Sequence, residues 1–427
     1  MSFLDSPSGK ARVHYALTGP HAPPSASTLL DGVPDAVVVA ARAADDALAK
    51  YVELSYAEPL SDGDTPCASN GGSDAVDIYL IDFTAADGQA VPEHCLAGTP
   101  RRCAAFVLVE NDFARGGYAD ADEGMRTVVP HELFHTVQDA YDASVERWWA
   151  EGTAQWAAKQ VYPDLKDLER FLPAYFDVPS RPLNVPPNGV IASFLYATAI
   201  WPVFLQERFD ASLIHDVFEG FTSQQVGVLP TIDEVLSGRG SNLAHEFLEF
   251  AAYNAATGSR APRTGGYRDP HGYPLVPVEA IDGSRGDLAA DVTAGMAAYY
   301  YRIEPSAPSE LSLVADPERL AALWLPLEDG KVQVDAAKPL PTSVDSEGIV
   351  VVAGQSLART DAPFTLRGAA PSESPGDDES AAPSCALTLR SAVHGSHAVL
   401  AAFTLLLFLG RARAAFDRYA SRRRDRR

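Results

Sequence analysis

Apolar residues along this chain recur with two periods, and the change from one to the other marks its organisation. Ala11 to Leu17 reads as a short strand, and Asp31-Gly32-Val33-Pro34-Asp35 as a turn. From Ala36 to Glu53, Ala- and Val-rich sequence places apolar positions at helical spacing, which predicts a helix packed on a sheet. Ser61 to Ser73 is a polar, Gly-rich loop. Val76-Asp77-Ile78-Tyr79-Leu80-Ile81-Asp82-Phe83 and Ala104 to Glu110 are strand patterns. Several helical patterns then run from about Thr127 to Thr257 with no long strand candidate. From about Tyr267 short β-branched runs such as Ile349-Val350-Val351-Val352, broken by Pro and Gly, predict a small β domain. Ala369 to Ser384 holds Pro, Ser, Glu and Asp with almost no large apolar residue and predicts a flexible linker. No internal repeat is visible. The order is that of an α+β chain: a mixed sheet followed by helices over 1–265, a β domain over 266–368, a linker over 369–390 and a hydrophobic segment with an Arg-rich tail over 391–427.

Charge divides the chain again. From Ala386 to the C-terminus nine Arg face two Asp, a local balance of +7, so the remainder holds −30 of the net −23. A body that acidic repels phosphate backbones, which argues against nucleic-acid partners. Between Arg390 and Arg411 lie twenty residues with no charged side chain. At about 1.5 Å each they match a bilayer core of about 30 Å, so a membrane anchor is expected, with an amphipathic surface helix as the rival. If the segment spans, the Arg-rich end stays cytoplasmic and the body lies outside. The N-terminal residues, Met1 to Asp5, show no basic region followed by an apolar one. None of the four cysteines, Cys67, Cys95, Cys103 and Cys385, forms a C-x-x-C pair. Cys95 and Cys103, eight apart across a Gly-Thr-Pro turn, are a candidate disulfide loop fitting an oxidising compartment, with two buried thiols as the alternative.

The chemistry concentrates at His131-Glu132-Leu133-Phe134-His135. Residues four apart on a helix share a face, so His131 and His135 present their imidazoles to one Zn2+. Glu132 points about 100° away, where it can take a proton from a water attacking a carbonyl. The third ligand fixes the subclass. A metzincin pattern needs Gly at 138 and His at 141, where this chain has Gln138 and Tyr141. A gluzincin takes a Glu from a second helix, and Trp148-Trp149-Ala150-Glu151-Gly152-Thr153-Ala154 supplies Glu151, with aromatic residues to exclude water and Gly152 for close helix approach. Tyr196 is a candidate donor to an oxyanion, or a core tyrosine, and His215 is ambiguous in the same way. Asp139 is placed either to orient a ligand imidazole or to solvate its helix. His245-Glu246-Phe247-Leu248-Glu249 lacks the second His and reads as a packed helix, and Asp120, Asp122 and Glu123 read as a solvated loop. The strand at Ala104 to Glu110 is either an edge that binds an extended peptide or an ordinary internal strand.

The two segments His131 to His135 and Trp148-Trp149-Ala150-Glu151-Gly152-Thr153-Ala154-Gln155-Trp156 resemble a family of secreted gluzincin metalloproteases from myxobacteria and related bacteria. Asp31 to Asp35, Asp77 to Phe83, Glu110 to Phe113, Val137 to Asp142 and Tyr253 to Gly258 extend the likeness over roughly residues 10 to 305. The resemblance implies a gluzincin-like fold, zinc, peptidase activity on protein or peptide substrates, and export. It carries over His131, His135 and Glu151 as metal ligands and Glu132 as the base. It also implies a signal peptide, which the first residues do not show. The order Cys385, apolar segment, Arg cluster resembles the tripartite sorting tails of myxobacterial surface proteins, although a single Cys stands there. The rival functions are a catalytically inactive gluzincin fold serving as a surface binding or adhesion protein, and a non-peptidase zinc hydrolase or structural zinc protein.

Overall fold

The alternating segments form strands, and the first five of them build one sheet. The computed structural model describes residues 1–369 apart from 64–69, 85, 116, 188–191, 224–225, 282–286, 306–307 and 358–359. The expected linker, the hydrophobic segment, Cys67 and Cys385 lie outside the described residues, except that Ala369 ends the last strand. Among the described residues no helix is long and apolar enough to cross a membrane.

Strands β1 (Ser2–Asp5), β2 (Ala11–Tyr15), β3 (Val76–Ile81), β4 (Gly88–Cys95) and β5 (Cys103–Glu110) stand in the order β1-β2-β3-β5-β4. The pairs β2–β3 and β3–β5 are parallel, and the two outer pairs are antiparallel. Strand β5 therefore has a neighbour on each side and is not an edge. The internal-strand alternative holds, and the edge belongs to β4. Cys95 and Cys103, partners in the β4–β5 register, are joined in a disulfide.

Helix α1 (Asp35–Glu53) follows β2 and buries a stripe of Val37, Ala40, Ala44, Ala47, Leu48 and Tyr51. The small side chains let it lie close to α2 (Ala121–Asp142), which carries the two histidines. Helix α2 starts six residues before the expected Thr127. Asp120 Oδ1 accepts the Glu123 amide at 2.9 Å, and Glu123 Oε2 accepts the Ala119 amide at 2.5 Å. This reciprocal cap uses two of the acidic residues assigned to a loop and pulls Asp122 into the first turn, where the helix dipole favours them. Pro130 sits inside α2 and removes one helical donor, and the buried Tyr51 hydroxyl of α1 donates to the Pro130 carbonyl at 2.6 Å.

Helices α3 (Arg147–Val161), α4 (Asp167–Phe171), α5 (Pro173–Phe176), α6 (Ala192–Ala197), α7 (Ile200–Arg208), α8 (Ser212–Ser223), α9 (Val228–Gly238) and α10 (Leu243–Ala255) follow. Among the described residues no strand interrupts them, as the long helical pattern requires. The remaining strands are β6 (Glu279–Ile281), β7 (Leu288–Thr293), β8 (Ala298–Ile303), β9 (Ser309–Ala315), β10 (Leu320–Glu328), β11 (Lys331–Val332), β12 (Lys338–Pro339), β13 (Thr342–Val344), β14 (Gly348–Gly354) and β15 (Asp361–Ala369). They form one sheet ordered β11-β10-β14-β8-β6, with β12 on β10, and a second ordered β13-β9-β15-β7. The period of two explains how they pack. On β14, Ile349, Val351 and Ala353 join the core shared with the helices, while Val350 and Val352 face the core between the two sheets. Tyr300 and Tyr301 on β8 divide in the same way, so one sheet is sandwiched between the helices and the other sheet.

Candidate metal centre

His131 and His135 lie one turn apart on α2, with their Nε2 atoms 3.2 Å from each other. The chain then turns back, and α3 brings Glu151 Oε2 to 3.3 Å from His131 Nε2 and 3.4 Å from His135 Nε2. An ion bonded at about 2.0–2.1 Å in tetrahedral geometry spaces its ligand atoms about 3.3–3.4 Å apart. The three separations, 3.2, 3.3 and 3.4 Å, lie close to that value, and His131, His135 and Glu151 can hold a metal ion. Among the described residues no other group of three His, Cys, Asp or Glu side chains qualifies.

What fixes this triangle is Gln138, which sequence reasoning treated only as the absence of a glycine. Its Nε2 donates to the Ala150 carbonyl at 2.8 Å and to Thr153 Oγ1 at 2.9 Å, tying α2 to α3. That commits its Oε1 to accept from His135 Nδ1 at 2.8 Å, so in the neutral ring the proton stays on Nδ1 and Nε2 is left for a metal. The orienting partner of His135 is thus Gln138 and not Asp139. Asp139 is buried nearby, and burial raises its carboxyl to about 6. The readable signal was an amide three residues after His135 on the same face. Its partners on α3 were not readable.

Gly152, next to Glu151, allows a close approach, and the neighbour is the turn between α6 and α7. A Cβ there would lie 2.5 Å from Thr198 Oγ1 and 3.2–3.3 Å from backbone atoms of Thr198 and Ala199. Thr198 Oγ1 lies 2.6 Å from the Trp148 carbonyl, which completes the contact. Helix α6 thereby sets the Tyr196 ring edge-on to His131, with centroids 5.3 Å apart. Tyr196 therefore stands against the His131 ring of this group. Burial, with the charges of Glu151 and Glu132, pushes its phenol up, so it remains a donor.

Glu132 is 6% exposed and lies beside the triangle. Its Oε2 accepts the Ala90 amide of β4 at 2.7 Å. Burial raises the Glu132 carboxyl, opposed by both imidazoles and the Ala90 amide. Burial also acts on the two other partners, but their mutual attraction outweighs it. Bonds from the two histidines hold Glu151 well below the usual carboxylate range, and Glu151 raises His135 to about 9. Protonated His135 and a metal ion therefore compete for the same Glu151 oxygen. Arg147 Nη2 approaches the other oxygen, Oε1, at 3.7 Å.

The other candidates stand apart from this group. His215 sits with Asp216 and Glu219 and meets Tyr56 edge-on. His245 is exposed beside Glu246. No family model matches this chain, and no curated protein matches it.

Proposed function

We propose that the chain is a zinc-dependent peptidase of the gluzincin type, the group its two zinc-site segments resemble. The observation that carries the reading is the donor triangle of His131, His135 and Glu151 with the buried carboxylate of Glu132 at its side. Two imidazoles and one carboxylate would hold zinc with room left for water or substrate, the ligand set of a catalytic zinc site. When bound, zinc supplies Lewis acidity that polarises a carbonyl and makes water a better nucleophile. Glu132 takes the proton of the attacking water and passes it to the nitrogen of the leaving amine as the peptide C–N bond breaks. Tyr196 donates its hydroxyl proton in a hydrogen bond to the developing oxyanion. Gln138 keeps His135 in the tautomer that binds metal. The Cys95–Cys103 disulfide supports an extracytoplasmic site of action, with the C-terminal segment as the anchor.

The test is turnover of a quenched fluorescent peptide mixture by the purified full chain, with metal content measured in parallel. Glu132→Gln is expected to keep its metal and lose about 10²–10⁴-fold in rate. His135→Ala is expected to lose both, and a chelator is expected to abolish turnover. Equal metal loss in the two variants would contradict the assigned roles. Full metal binding without any turnover would favour the inactive binding module.

A further inference from the structure

We infer that the edge strand β4 is the seat of the Glu132 carboxylate: Gly88 opens the space for it and the Ala90 amide anchors one of its oxygens, which makes both of them positioning residues. The register of β4 sets this up. Glu110 donates its amide to the Asp87 carbonyl at 2.8 Å, and Gln89 and Val91 stand opposite Leu108 and Phe106. In an antiparallel ladder alternate residues turn their amide and carbonyl toward the partner strand, so 87, 89 and 91 face β5. Gly88, Ala90 and Pro92 turn theirs off the free edge. Pro92, with no amide hydrogen to offer, occupies an outward position at no cost to the ladder.

Of the outward positions, Ala90 spends its N–H on Glu132 Oε2 at 2.7 Å. An edge amide normally pairs with water, whereas here it meets a carboxylate that is almost fully buried. The second observation is independent of that bond. A Cβ on Gly88 would stand 2.5 Å from Val128 Cγ1, 2.6 Å from Glu132 Cγ and 2.8 Å from Glu132 Oε1. Gly88 has no left-handed backbone to explain the glycine. It is required by the approach of β4 to α2 at the Glu132 side chain. The two contacts hold the carboxylate from different sides. With Oε2 engaged by the amide, the proton taken from water goes to Oε1. The rotation of the base is set by the sheet and not by its own helix. The contact stands on geometry alone, and its catalytic meaning rests on the peptidase reading above.

The experiment joins exchange and kinetics on the full metal-loaded chain labelled with ¹⁵N-alanine. The Ala90 amide is expected to exchange at least about tenfold more slowly than an exposed alanine amide, and to lose that protection in Glu132→Ala. The Ala104 and Ala105 amides of β5 are expected to keep theirs. Ala90→Pro removes the N–H at an edge that already admits proline. It is expected to keep its metal and its unfolding midpoint while kcat falls about 10- to 100-fold and KM stays the same. Gly88→Ala, which crowds the same carboxylate, is expected to shift kcat in the same direction. Free exchange of the Ala90 amide in the unaltered chain overturns the seat, as does Ala90→Pro with unchanged kcat. A protected Ala90 amide that Glu132→Ala exposes, in a chain with no peptide turnover, sustains the seat and refutes the peptidase reading instead. Should Ala90→Pro fail to fold, the exchange arm decides.

Discussion

Replacing Gln138 with leucine deletes three hydrogen bonds while leaving every proposed metal ligand in place. The first is the acceptor for His135 Nδ1 at 2.8 Å, and the others are the donors to Ala150 O and Thr153 Oγ1 at 2.8 and 2.9 Å. Gln138 is 3% exposed, so water does not readily take over. Loss of such an orienting partner weakens metal binding by about 10- to 100-fold, equivalent to about 1.4–2.7 kcal/mol. Leaving the His135 N–H buried without an acceptor costs the metal-free fold about 1–3 kcal/mol. The two α3 groups suffer less. Thr153 Oγ1 still donates to the Trp149 carbonyl at 2.6 Å and approaches Ala150 O at 3.3 Å. Gln138→Glu separates the two effects, since it keeps an acceptor for His135 but turns a carboxylate oxygen against the Ala150 carbonyl. Metal affinity, from competition with a chelating dye, should fall in Gln138→Leu and hold in Gln138→Glu. Urea unfolding of the metal-free proteins should show both destabilised. Unchanged affinity in Gln138→Leu, or equal loss in both variants, refutes the role given to this amide.

Other consequences can be measured on the same protein. Gly152→Ala puts a Cβ against Thr198 and should destabilise the chain by about 1–3 kcal/mol in urea, with partial recovery when Thr198→Ala is added. No recovery would mean that the turn after α6 does not press on α3 there. Tyr196→Phe should lower kcat about 10²–10³-fold with metal content intact, and an unchanged kcat would return Tyr196 to a packing role. The pH dependence has opposite signs for two properties of one pair. His135 rises from 6.5 to about 9 in the folded metal-free chain, so its stabilising contribution is full below 6.5 and is lost as pH climbs through 9. Metal binding needs the neutral imidazole, so affinity should climb about tenfold per pH unit over that same window. Melting curves with chelator and competition titrations from pH 6 to 9 should run in opposite directions, and parallel trends contradict the pairing.

How much of this could be read in the sequence depended on how local the cause was. His131 and His135 share a face through helical spacing alone, and the eight-residue separation of Cys95 and Cys103 suffices for a hairpin disulfide. Helices α1 and α3 and strands β2, β3, β5 and β14 carry their own periodicity. Strand β4, Gly88–Cys95, does not. Its Pro92, Glu93 and His94 spoil the alternation, and only its place at an edge, with Pro92 facing outward and a register shift beside it, makes those residues acceptable. Missing β4 moved the edge to β5 and hid the seat of Glu132. The first turn of α2 was hidden in another way, because its acidic residues resemble a loop until Asp120 and Glu123 are seen to cap each other. Gln138 meets its partners on α3, and Tyr196 reaches His131 from α6; the spacing of residues along the chain does not encode those meetings.

The most direct measurement is the metal stoichiometry of the purified full chain beside His131→Ala, His135→Ala and Glu151→Ala, each loaded with zinc and dialysed. The geometry predicts one tightly held ion per native chain and its loss in every variant, Glu151→Ala included, with the fold preserved by circular dichroism. A native chain that refuses zinc, or a Glu151→Ala protein that binds it as tightly as the native one, contradicts the convergence of these three side chains on a single ion.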